Sequence, residues 1–265
     1  MKRKTAISFF VIFSLTASFA YAAESVTFKG TSKTENALML KGILNKPQGE
    51  GPFPAVVMLH GCSGIEGITR KYLDIWAQKL MSWGYVSLMV DSFGPRGESD
   101  ICGGDRVFLI PPNVRAQDAY DAKSYLAEIP FVNKKQIALM GWSHGGWTTL
   151  FALDETTPIQ NRGDPFRCAI AFYPYCSIYL RNLNSPLSIL IGELDSWCPA
   201  QMCFLRMPSG KTTHEVTLKI YPQAYHCFDF EGIDTSKEGH RLLYNPEAAN
   251  DAIEQVKQLL AKYVK

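Results

Sequence analysis

Short apolar runs and longer helical stripes alternate along most of this chain. The runs lie at residues 55–59, 85–90, 137–140, 168–172, 187–191 and 216–221. A continuous apolar run of four to six residues bounded by turn residues predicts a strand buried on both faces of a parallel sheet. Between them, residues 72–83 repeat Leu73, Trp76, Ala77 and Leu80 at helical spacing until Gly84 stops the pattern. Residues 114–128 do the same with Ala116, Ala119, Tyr120, Ala122 and Leu126, and residues 246–264 with Ile253, Val256, Leu259 and Leu260. Shorter helices are expected at 147–153 and 199–207. Residues 26–29 and 38–44, joined by the polar turn 31–36, look like an antiparallel strand pair at a sheet edge. Strands and helices alternating at these lengths predict a single α/β domain: a mainly parallel sheet with helices on both faces. Functional groups then belong at the carboxyl ends of the strands, where the loops gather. The 92–113 loop, rich in Gly and Pro and without periodicity, is expected to cover one side of such a site.

One stretch stands out. Residues 136–151 read QIALMGWSHGGWTTLF, a buried strand, a turn and a helix start. Within it Gly141-Trp142-Ser143-His144-Gly145 is G-x-S-x-G in the strand-to-helix setting that the motif requires. A turn this sharp leaves no room for a Cβ on either side of the serine, so Ser143 is predicted to be exposed, in a strained backbone conformation, at a helix N-terminus. The unpaired N–H groups and dipole there favour developing negative charge.

Composition changes the picture at the N-terminus. Lys2, Arg3 and Lys4 precede an apolar stretch over residues 6–19 and the small-x-small site Ala20-Tyr21-Ala22. This is the pattern of a secretory signal peptide over residues 1–22, leaving 23–265 as the mature domain. Export to the bacterial periplasm or the outside is therefore expected, with no membrane association after cleavage. The 27 basic residues, less those three, leave 24 against 25 acids, so the mature chain is near neutral. That argues against nucleic acid as a partner. Seven cysteines in an oxidising compartment can pair, and an odd number leaves at least one thiol free. Cys198 and Cys203 flank one turn and form the nearest local pair. Neither C-x-x-C nor H-E-x-x-H occurs, so no metal site is expected.

A serine hydroxyl needs a general base, and the base an orienting carboxylate. In the serine-first order the acid and the histidine follow, each in a loop after a strand. Asp195 in Gly192-Glu193-Leu194-Asp195 and His226 in Pro222-Gln223-Ala224-Tyr225-His226 meet that requirement, with Glu193 and Asp164 as rival acids and His240 as rival base. The oxyanion formed by attack on a carbonyl needs two N–H donors. His144 is expected to supply one and the His60-Gly61-Cys62 loop the other, from Cys62, whose thiol is then a packing or disulfide group. Arg96, Trp142, Tyr173, Tyr175 and Trp197 are candidates for the pocket wall, against plain packing. Arg96 is also a candidate partner for a substrate carboxylate.

These pieces together resemble the dienelactone hydrolase family of α/β hydrolases. They are Leu59-His60-Gly61-Cys62-Ser63-Gly64, Asp91-Ser92-Phe93-Gly94-Pro95-Arg96-Gly97, Gly141-Trp142-Ser143-His144-Gly145-Gly146, Asp195 and Tyr225-His226-Cys227-Phe228. The resemblance implies an eight-stranded α/β-hydrolase sheet, a mechanism without cofactor, and a triad at Ser143, Asp195 and His226. Two departures matter: the family's cysteine nucleophile is replaced by Ser143, and its glutamate after the third strand by Gly61. A dienelactone is therefore not the implied substrate. A serine esterase acting on a small-molecule ester is the expectation, with small-peptide or amide hydrolysis and a non-catalytic binding protein as the alternatives.

Overall fold

The structure is a computed structural model and describes residues 23–31 and 38–265. The expected signal peptide and most of the 31–36 turn lie outside the described residues. β1 (Ala23–Lys29) and β2 (Met39–Asn45) pair antiparallel at one edge, and β2 continues antiparallel onto β4 (Val86–Asp91). Beyond β4, the strands β3 (Phe53–Leu59), β5 (Val132–Trp142), β6 (Ala169–Phe172), β7 (Leu187–Gly192) and β8 (Val216–Tyr221) all run parallel. The full order is β1-β2-β4-β3-β5-β6-β7-β8. This is the α/β-hydrolase type of sheet, in one domain.

From β3 the chain passes through α1 (Gly67–Ser82) to β4 on one side, then back through α2 (Pro112–Glu128) to β5 on the other. Right-handed crossovers in opposite directions place α1 and α2 on opposite faces. α3 (His144–Leu153) follows β5 and packs against α2. The order reverses at β3, so a crevice opens beyond the carboxyl ends of β3 and β5. Cys62 and Ser143 sit there. The central strands are apolar throughout because both faces are covered: the last five residues of β3 and all six of β7 are buried. Each fully buried Val, Leu or Ile contributes on the order of 1.5–3 kcal/mol relative to exposure. At the C-terminus α5 (Pro246–Tyr263) starts where the Asn245 side chain accepts from the Ala248 N–H at 3.0 Å, with Pro246 in the first turn.

Three elements differ from the sequence pattern. α1 begins at Gly67, five residues ahead of the apolar stripe, because its first turn is largely solvated and Ile68 there is exposed. The helix expected over 199–207 shrinks to α4 (Ala200–Phe204), since Phe204 and Leu205 point to solvent and supply no buried face. The polar segment after residue 228 contains a hairpin, β9 (Asp234–Lys237) and β10 (His240–Leu243). Its two-residue loop, Glu238-Gly239, holds both residues at positive φ, the primed turn that matches strand twist.

The cysteine pairing also differs. The disulfides are Cys62–Cys102 and Cys176–Cys203, while Cys168, Cys198 and Cys227 are free. Proximity in sequence fails for Cys198 and Cys203 because α4 directs Cys203 toward the loop after β6, leaving Cys198 buried in the turn after β7. The first disulfide ties the β3 loop to the 92–113 segment, which folds into two 3-10 turns, Gly94–Arg96 and Gly104–Phe108.

Candidate active site

The serine turn has the predicted strain. Ser143 has φ 54° and ψ −115°, and its N–H donates to the Phe172 carbonyl at 2.9 Å. A Cβ on Gly141 would stand 2.2 Å from the Gly145 carbonyl oxygen, and one on Gly145 only 2.1 Å from that of Leu59. Both positions therefore exclude any side chain, and the hydroxyl is held at the mouth of the crevice. Tyr173 and Cys227, which line the same crevice, are also at positive φ.

β7 and β8 deliver the other two groups. The His226 Nε2 lies 3.0 Å from Ser143 Oγ and its Nδ1 2.7 Å from Asp195 Oδ2. The second oxygen of Asp195 accepts from the N–H groups of Trp197 at 2.9 Å and Cys198 at 2.8 Å. An ionised carboxylate only accepts, so Nδ1 carries the imidazole proton and Nε2 is left to accept from the hydroxyl. Asp195 and His226 are both buried. The rivals are elsewhere: Glu193 accepts from the Gln223 N–H at 3.1 Å, and His240 is bonded to Ser196 Oγ at 3.0 Å and stacked on Trp197.

The N–H of His144, first residue of α3, has no acceptor within the helix. The Cys62 carbonyl accepts from Ile101 N–H at 2.9 Å, and the disulfide to Cys102 holds the same loop. Behind both loops lies a buried cation that the sequence reading missed. Arg115 donates to the His60 carbonyl and to His144 Nδ1, each at 2.8 Å, while His144 Nε2 donates to the Val107 carbonyl at 3.0 Å. Burial, then the Arg115 charge, pushes the His144 imidazole down to about 3 and holds His60 well below its usual value. Burial also lowers Arg115 to about 9, which leaves it charged at neutral pH. Its signal was a charged side chain on the buried stripe it shares with Ala119 and Ala122.

A second missed group is Asp229, three residues after His226. Its carboxylate accepts from Tyr72 and Tyr173 hydroxyls and from the indole N–H groups of Trp76 and Trp142. Burial pushes this carboxyl up, against the four donors that hold it down. The Tyr173 ring in turn packs on His226 with centroids 4.5 Å apart.

Two cavities flank Ser143. The larger, about 470 Å³, is walled by Tyr72, Trp142, Tyr173 and Phe230 and reaches the β9–β10 hairpin at Lys237. The smaller, about 170 Å³, is bounded by Val107, Phe108, Trp147 and Tyr175. Cys62 and Trp197 border both. Trp142, Tyr173, Tyr175 and Trp197 thus stand at the crevice as expected, and the 92–113 segment forms part of its wall. Arg96 does not. It makes a bidentate pair with Asp118, both bonds at 2.8 Å, and donates to the Ser92 carbonyl at 2.6 Å, so it pins its own loop to α2 and borders neither cavity. The candidate substrate-carboxylate role for Arg96 is thereby overturned, because an internal carboxylate already occupies its fork.

The model of the dienelactone hydrolase family matches residues 40–264. The chain belongs to the dienelactone hydrolase family. Among curated relatives it is similar to a probable 2-oxo-3-(5-oxofuran-2-ylidene)propanoate lactonase of Bradyrhizobium sp, at 24% identity over 87% of this chain and 92% of that protein. It is also similar to a probable dipeptidyl-aminopeptidase B of Grosmannia clavigera, at 29% identity over 53% of this chain but only 15% of that much longer protein. Among solved structures, a dienelactone hydrolase-like promiscuous phosphotriesterase from metagenomic libraries superposes with TM-score 0.69 at 18% identity, covering 92% of this chain and all of that one. Family membership makes the chain a hydrolase relative with an α/β-hydrolase fold. It leaves the scissile bond to the site itself.

Proposed function

We propose that this chain is an exported serine hydrolase that cleaves carboxylic esters through Ser143, His226 and Asp195. The observation that carries the reading is the hydrogen-bonded relay from Asp195 Oδ2 through His226 to Ser143 Oγ, at 2.7 and 3.0 Å. In this reading His226 takes the hydroxyl proton as Oγ attacks the ester carbonyl, and the N–H groups of His144 and Cys62 receive the oxyanion. The imidazolium then protonates the departing alkoxide. Water, deprotonated by the same imidazole, releases the acid and restores Ser143. Asp195, fixed by two backbone N–H groups, holds the ring in the tautomer the first step needs. Similarity to a lactonase favours esters, since a lactone is a cyclic ester. The two disulfides favour export, because cytosolic thiols are kept reduced.

A second reading, hydrolysis of small peptides or amides, draws on the similarity to a dipeptidyl-aminopeptidase. A panel of p-nitrophenyl esters and aminoacyl anilides separates the two: esters turned over and anilides untouched is the expected result. Labelling of Ser143 by a fluorophosphonate, lost in Ser143→Ala, is expected alongside. An unlabelled, folded wild-type protein at neutral pH would favour a binding protein on the same fold.

A further inference from the structure

The two cavities meet at Ser143 but are not equivalent to the imidazole. His226 borders the larger cavity and not the smaller; His144, one of the two proposed oxyanion donors, borders the smaller and not the larger, while the other, Cys62, borders both. During acyl transfer four groups surround the reacting carbon: Ser143 Oγ, the oxyanion, the acyl substituent and the departing alkoxy oxygen. The last must lie against the imidazolium that protonates it. Resting on the ester-hydrolase reading, we infer that the alcohol part of the substrate occupies the larger cavity and the acyl part the smaller, so that the preferred substrates are short-chain acyl esters of bulky, largely apolar alcohols that carry no negative charge.

Size and chemistry of the walls agree. A volume of about 470 Å³ is in the range of small-molecule sites, whereas about 170 Å³ is well below it. Tyr72, Trp142 and Tyr173 direct their polar hydrogens into Asp229, behind the wall, so this side of the larger cavity meets its ligand with ring surfaces, and the polar groups gather toward Glu66, Asp100 and the hairpin. Lys237 at its rim is already paired with Asp100 at 2.6 Å and bonded to Ser63 at 2.9 Å, and the other charged lining residue is Glu66, so among the described residues the cavity offers no free cation to an anionic alcohol. The smaller cavity is bounded by Phe108, packed edge-on to Trp147 at 5.9 Å, so a longer acyl chain has to pass that exposed pair to reach solvent. The reaction balances without further reagents. The Oγ–acyl bond forms as the alkoxy C–O bond breaks, the serine proton leaves on the alcohol, and water then divides between the acid and the regenerated hydroxyl.

Two isomeric esters test the assignment: naphthylethyl acetate and ethyl naphthylacetate. They have the same atoms and primary alkyl leaving groups, and differ only in which side of the ester oxygen carries the ring. The acetate is expected to have a kcat/KM higher by about tenfold or more, the scale on which a pocket discriminates a badly sized group. Phe108→Ala, at an exposed position, should raise the ratio of naphthylethyl hexanoate to naphthylethyl acetate turnover. Ile68→Trp, at the rim of the larger cavity, should lower the ratio of naphthylethyl acetate to ethyl acetate turnover. Equal rates for the isomers, or preference for ethyl naphthylacetate, overturn the cavity assignment and leave the esterase reading standing. Cleavage of neither isomer by folded protein overturns both.

Discussion

Two buried aspartates lie close to His226 along the chain or in space, and they are held in opposite ways. Asp195 is fixed by main-chain N–H groups of its own turn and gives its remaining oxygen to the imidazole. Asp229 receives no backbone donor among these bonds; two tyrosines and two tryptophans from α1, β5 and the loop after β6 converge on it. A carboxylate anchored by its own backbone can be aimed accurately at one partner. One held only by side chains from several elements ties those elements together, and here it fixes the aromatic wall of the larger cavity. Nearly equal burial therefore says little about role; the origin of the donors decides it.

Substitution at the two sites should separate these roles. Asp195→Asn keeps the shape but favours the wrong imidazole tautomer, and kcat is expected to fall by about 10⁴-fold with little change in Tm. If Asp195→Asn retains more than a tenth of the activity, Asp195 is not the orienting acid. Next in size is the disulfide that clamps the β3 loop. The Cys62→Ala/Cys102→Ala double variant should lose about 2–5 kcal/mol of stability, measured by denaturant unfolding under non-reducing conditions. An unchanged midpoint would show that the loop is held by its other contacts. Asp229→Asn is the converse of Asp195→Asn. It leaves donors facing an amide, and should cost about 1–3 kcal/mol in stability while kcat falls less than tenfold. A loss of activity as large as at Asp195, at unchanged Tm, would erase the distinction.

The smallest expected effect is a net one, in acid. His144 is held neutral down to about 3 and His60 is likewise depressed. In the unfolded chain both take up protons below about 6.5, so their contribution is complete above that pH and declines as pH falls toward 3. Asp118 and Asp229 are shifted up by burial and act oppositely, since acid relieves the penalty of their buried charge. A modest loss of stability between about pH 6.5 and 4 is expected, and the loss should be smaller in His144→Gln. A variant that loses as much as wild type would place the acid sensitivity elsewhere.

How much of this was legible follows from what each feature depends on. The parallel sheet, α2, α5 and the serine turn rest on local patterns: continuous apolar runs, helical spacing, and glycines flanking Ser143. Asp195 and His226 were legible because each follows a strand, and in this topology strand ends share one rim. The β9–β10 hairpin was not, because four-residue strands carrying Asp234, Lys237 and Arg241 lack the alternation that marks a strand. Arg96 was misassigned because a guanidinium in a loop gives no sign of whether its carboxylate partner is a substrate or, as here, Asp118 on α2.

The sequence by itself determined the order of the eight strands of the main sheet and the helices between them, the strained serine and the identity of its two partners, since these depend on spacing within a few residues and on chain order. Only the tertiary structure decided which cysteines pair, that Asp229 gathers four aromatic donors, and that the serine stands between a large and a small cavity. Those are contacts between residues tens to more than a hundred positions apart, and no local period or motif encodes a distance that exists only once the layers have packed.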